Sequence, residues 1–259
     1  VPDLFSHGDV MYVQFNDSLT RALVNVLNSD GEIYACDLTT GSMTDLKELV
    51  LPLIPEPEGD WGNAYLYGNC LWADNDTVLG TAGRGVPIEV LNQRLDQGWE
   101  FDEAREAWHC LWAYDLSAGT LKYLKEDVAI EGGSLLDFNQ SIAYTNLYSS
   151  EYPDSTLLVV NPETGDCGIL EGPTFVDSWG DTVTQKGTRH VMKADDGSLY
   201  LADCALMQWT NLSDILEDLP EDIAQAQFIT EDWLCVNGGS GICCYHLPSD
   251  LPMNPLTAK

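Results

Sequence analysis

Short runs rich in Val, Ile, Leu, Tyr and Trp alternate along the chain with clusters of Asn, Asp, Ser, Thr and Gly. Runs of that length bounded by turn residues predict β-strands. Strands are expected at 10–15, 21–28, 32–38 and 42–49, then at 64–67, 70–81, 109–116 and 120–125. Further strands follow at 134–138, 141–147, 156–161 and 166–170, at 174–179, 188–193, 198–204 and 209–216, and at 226–230, 233–237 and 241–246. The stretch 213–218 also suits a single helical turn. The tail after residue 246 carries Pro248, Pro252 and Pro255, which oppose regular strand, so the fifth group lacks its outermost strand or takes it from a terminus.

One phrase recurs. Residues 33–41 read Ile-Tyr-Ala-Cys-Asp-Leu-Thr-Thr-Gly, residues 111–119 Leu-Trp-Ala-Tyr-Asp-Leu-Ser-Ala-Gly, and residues 157–165 Leu-Leu-Val-Val-Asn-Pro-Glu-Thr-Gly. A strand that closes on Asp/Asn-x-x-x-Gly at intervals of tens of residues marks an array of small sheets. With Asp37, Asp115, Asn161 and Asp203 as the ruler, the first interval is much the longest, and residues 86–107 account for the excess. There Ile88, Leu91 and Leu95 fall at helical spacing behind Pro87 and before Gly98. One helix, a break and a shorter second helix are predicted.

Four-stranded meanders cannot each bury two faces alone, and radial packing covers both faces and edges. The expected fold is therefore all-β: one β-propeller domain over residues 1–259, with blades at about 1–54, 55–127, 128–171, 172–219 and 220–259 and a helical insertion at 86–107. Segments 35–41, 113–119 and 159–165 resemble the third strand and following turn of bacterial propellers with YVTN-like or PQQ-like blades. The resemblance implies a ligand face built from the loops that lead into each blade and those between second and third strands.

Those loops carry the candidate chemistry. Asp60 and Trp61 lie ahead of the second blade, and Asp177 and Trp179 ahead of the fourth. Arg84 and Trp99 lie beside or within the insertion, and Tyr152 in the corresponding loop of the third blade. Aromatic rings beside carboxylates suit a sugar, whose C–H face stacks while its hydroxyls donate. Filling the gap between sheets is the competing part for such Trp residues. Asp60, Glu131 and Asp177 are the candidate acids of a glycosidase, which needs two carboxyl groups about 5 to 9.5 Å apart across the scissile bond.

Composition narrows the partners. The chain is 44% apolar and 10% aromatic, which predicts a folded protein, and 42 acidic against 11 basic residues give a formal charge of −31. Such a field repels phosphate backbones and anionic headgroups, so neither nucleic acid nor a membrane surface is an expected partner. No apolar run reaches the roughly 18 residues of a membrane helix. The eight cysteines lack Cys-x-x-Cys spacing and mostly sit in apolar runs, as buried free thiols do, with a disulfide or two left open. Val1 rather than Met at the start points to a removed upstream segment and, if that was a signal, to an extracytoplasmic location; free thiols would suit the cytoplasm instead.

His7, His109, His190 and His246 are too scattered for a transition-metal site, so no metal centre is expected. Asp74-Asn75-Asp76 and Asp195-Asp196-Gly197 offer oxygen ligands of the kind Ca²⁺ takes, but neither completes a calcium loop, and both read as turns. No phosphate loop or Gly-x-Ser-x-Gly nucleophile elbow is present. The function expected is a non-catalytic recognition module that binds a glycan or a partner protein. A glycan-active hydrolase and a protein-assembly scaffold are the alternatives.

Overall fold

The structure is a computed structural model and describes residues 9–258, apart from 28–31, 106, 127–143, 148–155, 171–183, 187, 195, 221, 231 and 240. Its fold class is all-β, a five-bladed β-propeller in which small antiparallel sheets follow one another along the chain, with a helical insertion in the second. Two compact units carry them, residues 1–140 and 141–259.

In the first unit, β1 (Asp9–Phe15), β2 (Arg21–Leu27), β3 (Glu32–Asp37) and β4 (Met43–Asp45) form one meander. A second is built from β5 (Tyr65–Trp72), β6 (Thr77–Gly85), β7 (Ala107–Asp115) and β8 (Thr120–Glu126). The recurring phrase is a hydrogen-bonded turn. Asp37 Oδ1 accepts from the backbone N–H groups of Thr39 (2.8 Å) and Thr40 (2.9 Å) and from the Thr39 hydroxyl (2.6 Å). Gly41 then takes φ +76°, the left-handed conformation that costs glycine nothing, and returns its N–H to Asp37 O. Asp115 with Gly119 and Asn161 with Gly165 repeat this. Asp203 Oδ1 likewise accepts from the Ala205 and Leu206 N–H groups (3.1 Å each), with Met207 at φ +51° where the other turns have glycine.

Two expectations in this unit need correction. The strand foreseen at 42–49 stops at Asp45, whose carboxylate accepts from Lys47 N–H (2.8 Å) and caps α1 (Leu46–Val50). Leu46 and Val50, one helical turn apart, are both fully buried, and that burial favours helix over strand. In the second sheet the hairpin turn is not at 68–69. β5 runs through those positions with a register shift between Tyr67 and Leu71, and the chain reverses at 73–76, where Asp74 Oδ1 accepts from Asp76 N–H (2.8 Å) and Thr77 N–H (2.6 Å).

Both sheets share a core. Leu23, Ile33, Ala35 and Leu46 from the first sheet meet Val78, Ala82, Cys110, Trp112 and Tyr114 from the second. The seam is hydrogen-bonded at its rim: Trp72 Nε1–H donates to Gln14 O (3.1 Å), Asn16 Nδ2 to Asn75 O (3.0 Å), and Arg21 pairs with Asp76 at 2.6 Å.

In the second unit the third sheet has β9 (Tyr144–Leu147), β10 (Thr156–Val160) and β11 (Cys167–Leu170). The fourth has β12 (Thr184–Lys186), β13 (Arg189–Lys193), β14 (Leu199–Asp203) and β15 (Gln208–Asn211). Its leading described strand is thus β12; the strands foreseen at 134–138 and 174–179 lie outside the described residues. β15 ends sooner than expected because the Asn211 side chain accepts from Ser213 N–H (3.0 Å) and caps a 3-10 turn, the helical alternative foreseen there. The fifth sheet is β16 (Ile223–Thr230), β17 (Trp233–Gly238) and β18 (Gly241–His246), with no fourth strand among the described residues.

The tail does not complete the fifth sheet. Instead β19 (Asn254–Pro255) pairs with β15 and β20 (Thr257–Ala258) with β11, giving the fourth and third sheets an added outer strand. Between these bridges Leu256 is buried, and its N–H donates to Met207 O at 2.9 Å. A Cβ at Gly168 would meet Leu256 Cβ at 2.7 Å, so the bare glycine backbone is what lets the tail seat.

Candidate functional site

The segment before β5 and the insertion after β6 are anchored to the same place. Gly62 N–H donates to Gly85 O at 2.8 Å, which fastens the loop at the point where β6 hands over to the insertion. Arg84, the penultimate residue of β6, is 8% exposed and reaches back under that loop. Its Nε donates to Pro55 O (3.0 Å), Nη1 to Gly62 O (2.9 Å) and Nη2 to Ile54 O (3.3 Å). A planar fork that serves three carbonyls fixes backbone geometry. Its contact with Glu56, at 4.0 Å and with that side chain largely exposed, adds little. Replacing Arg84 by Lys would leave carbonyls without donors and cost about 2 kcal/mol. The expected result is faster cleavage by a Glu-specific protease after Glu58, and an unchanged cleavage rate would refute the clamp.

Trp61 is half-buried. Its Nε1–H donates to Glu58 O (3.1 Å), the ring lies over Gly59, and its other side touches the shared core. Gly59 at φ +131° makes this fold-back possible, since a Cβ there would sit 2.9 Å from the indole nitrogen. Asp60 stands exposed beside it.

The insertion behaves differently. It contains α2 (Ile88–Asp96) and α3 (Phe101–Ala104), and α2 buries none of its residues. Ile88 is 61% exposed, Trp99 45% and Phe101 53%. Each of the two rings carries a guanidinium: Arg94 Cζ lies 5.2 Å from the Trp99 centroid, and Arg105 Cζ 5.7 Å from that of Phe101. The backbone N–H of Trp99 donates to Arg94 O (3.1 Å), closing the break between the helices over Gly98 at φ +88°. Tyr65, 40% exposed, lies near Arg105; partial burial raises its hydroxyl pKa, and the Arg105 charge partly offsets the rise.

Asp60, Trp61, Arg84 and Trp99 thus belong to one end of the second sheet, with Arg84 beneath as the clamp. Glu131, Tyr152, Asp177 and Trp179 lie outside the described residues. Phe101 and Tyr65 were missed by sequence reasoning; the signal available was an aromatic two positions after Trp99 in a break-rich insertion. Asp74, a turn cap, also lies 3.5 Å from Lys122 Nζ. Among the described residues no three His, Cys, Asp or Glu side chains converge as metal ligands would, and no helix is long and apolar enough to cross a membrane.

A concavity of ≈ 360 Å³ lies in the second unit between the fourth sheet and residues 249–253. Arg189, Asp203, Gln208 and Leu251 line it. Asp203 is occupied by the turn at 203–207, and Arg189 approaches it only to 3.9 Å. This reads as a polar gap under the tail.

No family model and no curated protein sequence matches the chain. Solved structures similar to it include β-propeller domains. The uncomplexed Pyrococcus horikoshii acylaminoacyl peptidase is 13% identical at a TM-score of 0.48, over 97% of this chain and 39% of that one. The β-propeller domain of the Trilobed protease from Pyrococcus furiosus is 13% identical at 0.43, over 96% and 71%. An oligogalacturonate lyase in complex with manganese is 12% identical at 0.44, over 95% and 64%. The chain therefore spans well under half of the peptidase, and at such identities the likeness is one of fold.

Proposed function

We propose that this chain is a non-catalytic recognition module whose contact surface is the insertion of the second sheet, and that its ligand is a partner protein. The observation that supports this is the exposure of Ile88, Trp99 and Phe101 on an insertion whose first helix has no fully buried residue. Free-standing aromatics topped by Arg have the composition of a binding hot spot. In a chain with 42 acidic and only 11 basic residues, two of those cations, Arg94 and Arg105, lie on these rings. Along its sequence the insertion also carries Glu89, Asp96, Glu100, Asp102, Glu103 and Glu106, so a partner segment that combines apolar or aromatic side chains with basic ones fits it.

A glycan is the second reading, supported by the open Trp99 ring beside Glu100 and by Asp60 near the root of the insertion. For the hydrolytic alternative, two of the three candidate acids, Glu131 and Asp177, lie outside the described residues. A specific kinship to YVTN-like or PQQ-like blades rests on the recurring turn phrase alone.

Peptide and glycan arrays probed with wild type and a Trp99→Ala/Phe101→Ala double variant decide between the readings. The variant should melt within about 2 °C of wild type, because both rings are half in water, yet lose at least about tenfold in affinity. Binding that survives the double variant refutes the proposal. A signal on glycans alone transfers it to the second reading.

A further inference from the structure

The fifth sheet carries chemistry that the recognition surface does not use. β17 and β18 are paired so that Cys235 stands directly opposite Cys244, and their sulfurs are 3.6 Å apart. Two residues separate the paired Gly238 and Gly241, so the hairpin closes on a hydrogen-bonded pair. Counting outward, Cys235 and Cys244 fall at a non-hydrogen-bonded position. Such pairs bring Cα atoms to about 4.5 Å, inside the range a disulfide spans. Closing the sulfurs to about 2.05 Å then needs a movement of less than about 1 Å by each.

The surroundings separate this pair from the other six cysteines. Along β17, Leu234 and Val236 are buried while Trp233, Cys235 and Asn237 alternate with them toward solvent. Cys244 is exposed, flanked on its own face by Ile242 and His246, and His246 stacks edgewise on Trp233 at 5.1 Å. Cys243 is next in sequence to Cys244, but a β-strand sends it to the other face, with Tyr245, which packs on the core. Cys36, Cys70, Cys110 and Cys204 are buried in the sheets, and Cys167 is partly covered. No charged side chain lies in 241–246.

We propose that Cys235 and Cys244 form a thiol–disulfide exchange site that takes low-molecular-weight disulfides as its co-reactant. The exposed Cys244 thiol gives up its proton, and its sulfur attacks one sulfur of the small disulfide. The S–S bond of the small molecule breaks, one of its thiols leaves with the electron pair and takes up a proton, and the other half stays bound to Cys244. Cys235 then loses its proton and attacks Cys244 Sγ, which forms the cross-strand disulfide and expels the second small thiol. Two protein thiols are oxidised, and one disulfide is reduced to two thiols.

The test uses the whole chain equilibrated with oxidised glutathione, then alkylated and analysed by intact and fragment mass spectrometry. Wild type and Cys243→Ser should each lose two hydrogens and leave Cys235 and Cys244 unalkylated. Cys235→Ser should stop at the first step and carry one glutathione on Cys244, whereas Cys244→Ser should keep Cys235 alkylatable. Melting curves of the reduced variants check that the hairpin is intact, and the wild-type result stands independently of them. A disulfide that includes Cys243, a stable wild-type glutathione adduct, or full alkylation of wild type at every redox ratio overturns the proposal.

Discussion

Substituting Gly80 by Ala should lower the melting temperature by roughly 8 °C, a loss on the order of 3 kcal/mol. Gly80 lies in β6 directly opposite Trp112 of β7, and both belong to the interior of the first unit. A Cβ at position 80 would collide with the Trp112 indole and sit 2.8 Å from Cys70 Sγ. Neither neighbour can give way. Trp112 is fully buried among Leu23, Val78 and Tyr114, and Cys70 is 5% exposed. The side chain that causes the conflict also identifies it, because Trp112→Phe removes the ring atoms the new methyl would strike. Trp112→Phe on its own costs little in hydrogen bonding, since the indole N–H finds no acceptor among the described residues. The double variant Gly80→Ala/Trp112→Phe should therefore be more stable than the two single losses added together. Thermal melts followed by circular dichroism decide it, and a Gly80→Ala protein that melts within about 1 °C of wild type refutes the account.

Acidification from pH 7 to pH 5 should weaken the fold by as much as about 1.4 kcal/mol per pH unit for each of two histidines. His190 on β13 and His109 on β7 are buried, and burial holds their pKa values down to about 3 and about 4. In the unfolded chain the same imidazoles titrate near pH 6.5. Between those limits the unfolded chain binds protons that the folded chain refuses. Stability is thus fully present above about pH 6.5 and falls as pH drops toward the folded values. The carboxylates add little until lower pH. Asp37, whose pKa is lowered to about 2 chiefly by the Thr39 hydroxyl and then by backbone N–H groups, acts in the same direction only near and below pH 4. Urea midpoints measured from pH 7.5 to 5 should fall steadily for wild type and more gently for His190→Gln. A slope identical in both proteins would show that His190 is not held neutral by the fold.

Much of the fold could be read from the sequence, because the turns are local chemistry. The Asp/Asn-x-x-x-Gly phrase works through hydrogen bonds spanning two or three residues and one left-handed glycine, so it shows wherever it occurs. It was harder to see at Asp203, where Met207 occupies the glycine position and is held there by contacts with the tail and with Gly168. α1 was misread because only tertiary burial of Leu46 and Val50 distinguishes a helical spacing from a strand continuing past Asp45. The hairpin of the second sheet was misplaced because both Gly68-Asn69 and Asp74-Asn75-Asp76 are turn-forming sequences, and the choice depends on pairing with β6. The tail could not have been foreseen at all: two-residue bridges leave no periodic trace.

The candidate site was legible only in part. Asp60, Trp61, Arg84 and Trp99 do come from one end of the second sheet, as their loop positions implied. The role of Arg84 was not visible, because backbone carbonyls contributed by Ile54, Pro55 and Gly62 have no residue-type signature. Phe101 resembles a core aromatic in sequence, and only its 53% exposure in the structure shows that it stands outside.

The tail stitched to β15 and β11 also constrains how the second unit assembles. Between Leu170 and Thr257 the polypeptide makes the whole of the fourth and fifth sheets before β20 can reach its partner. Such high contact order means that a nascent chain must carry β11 and β15 with unpaired edges until synthesis has passed residue 258. That interval is when the protein is most open to intermolecular strand capture, and it favours slow late ripening over stepwise folding behind the ribosome.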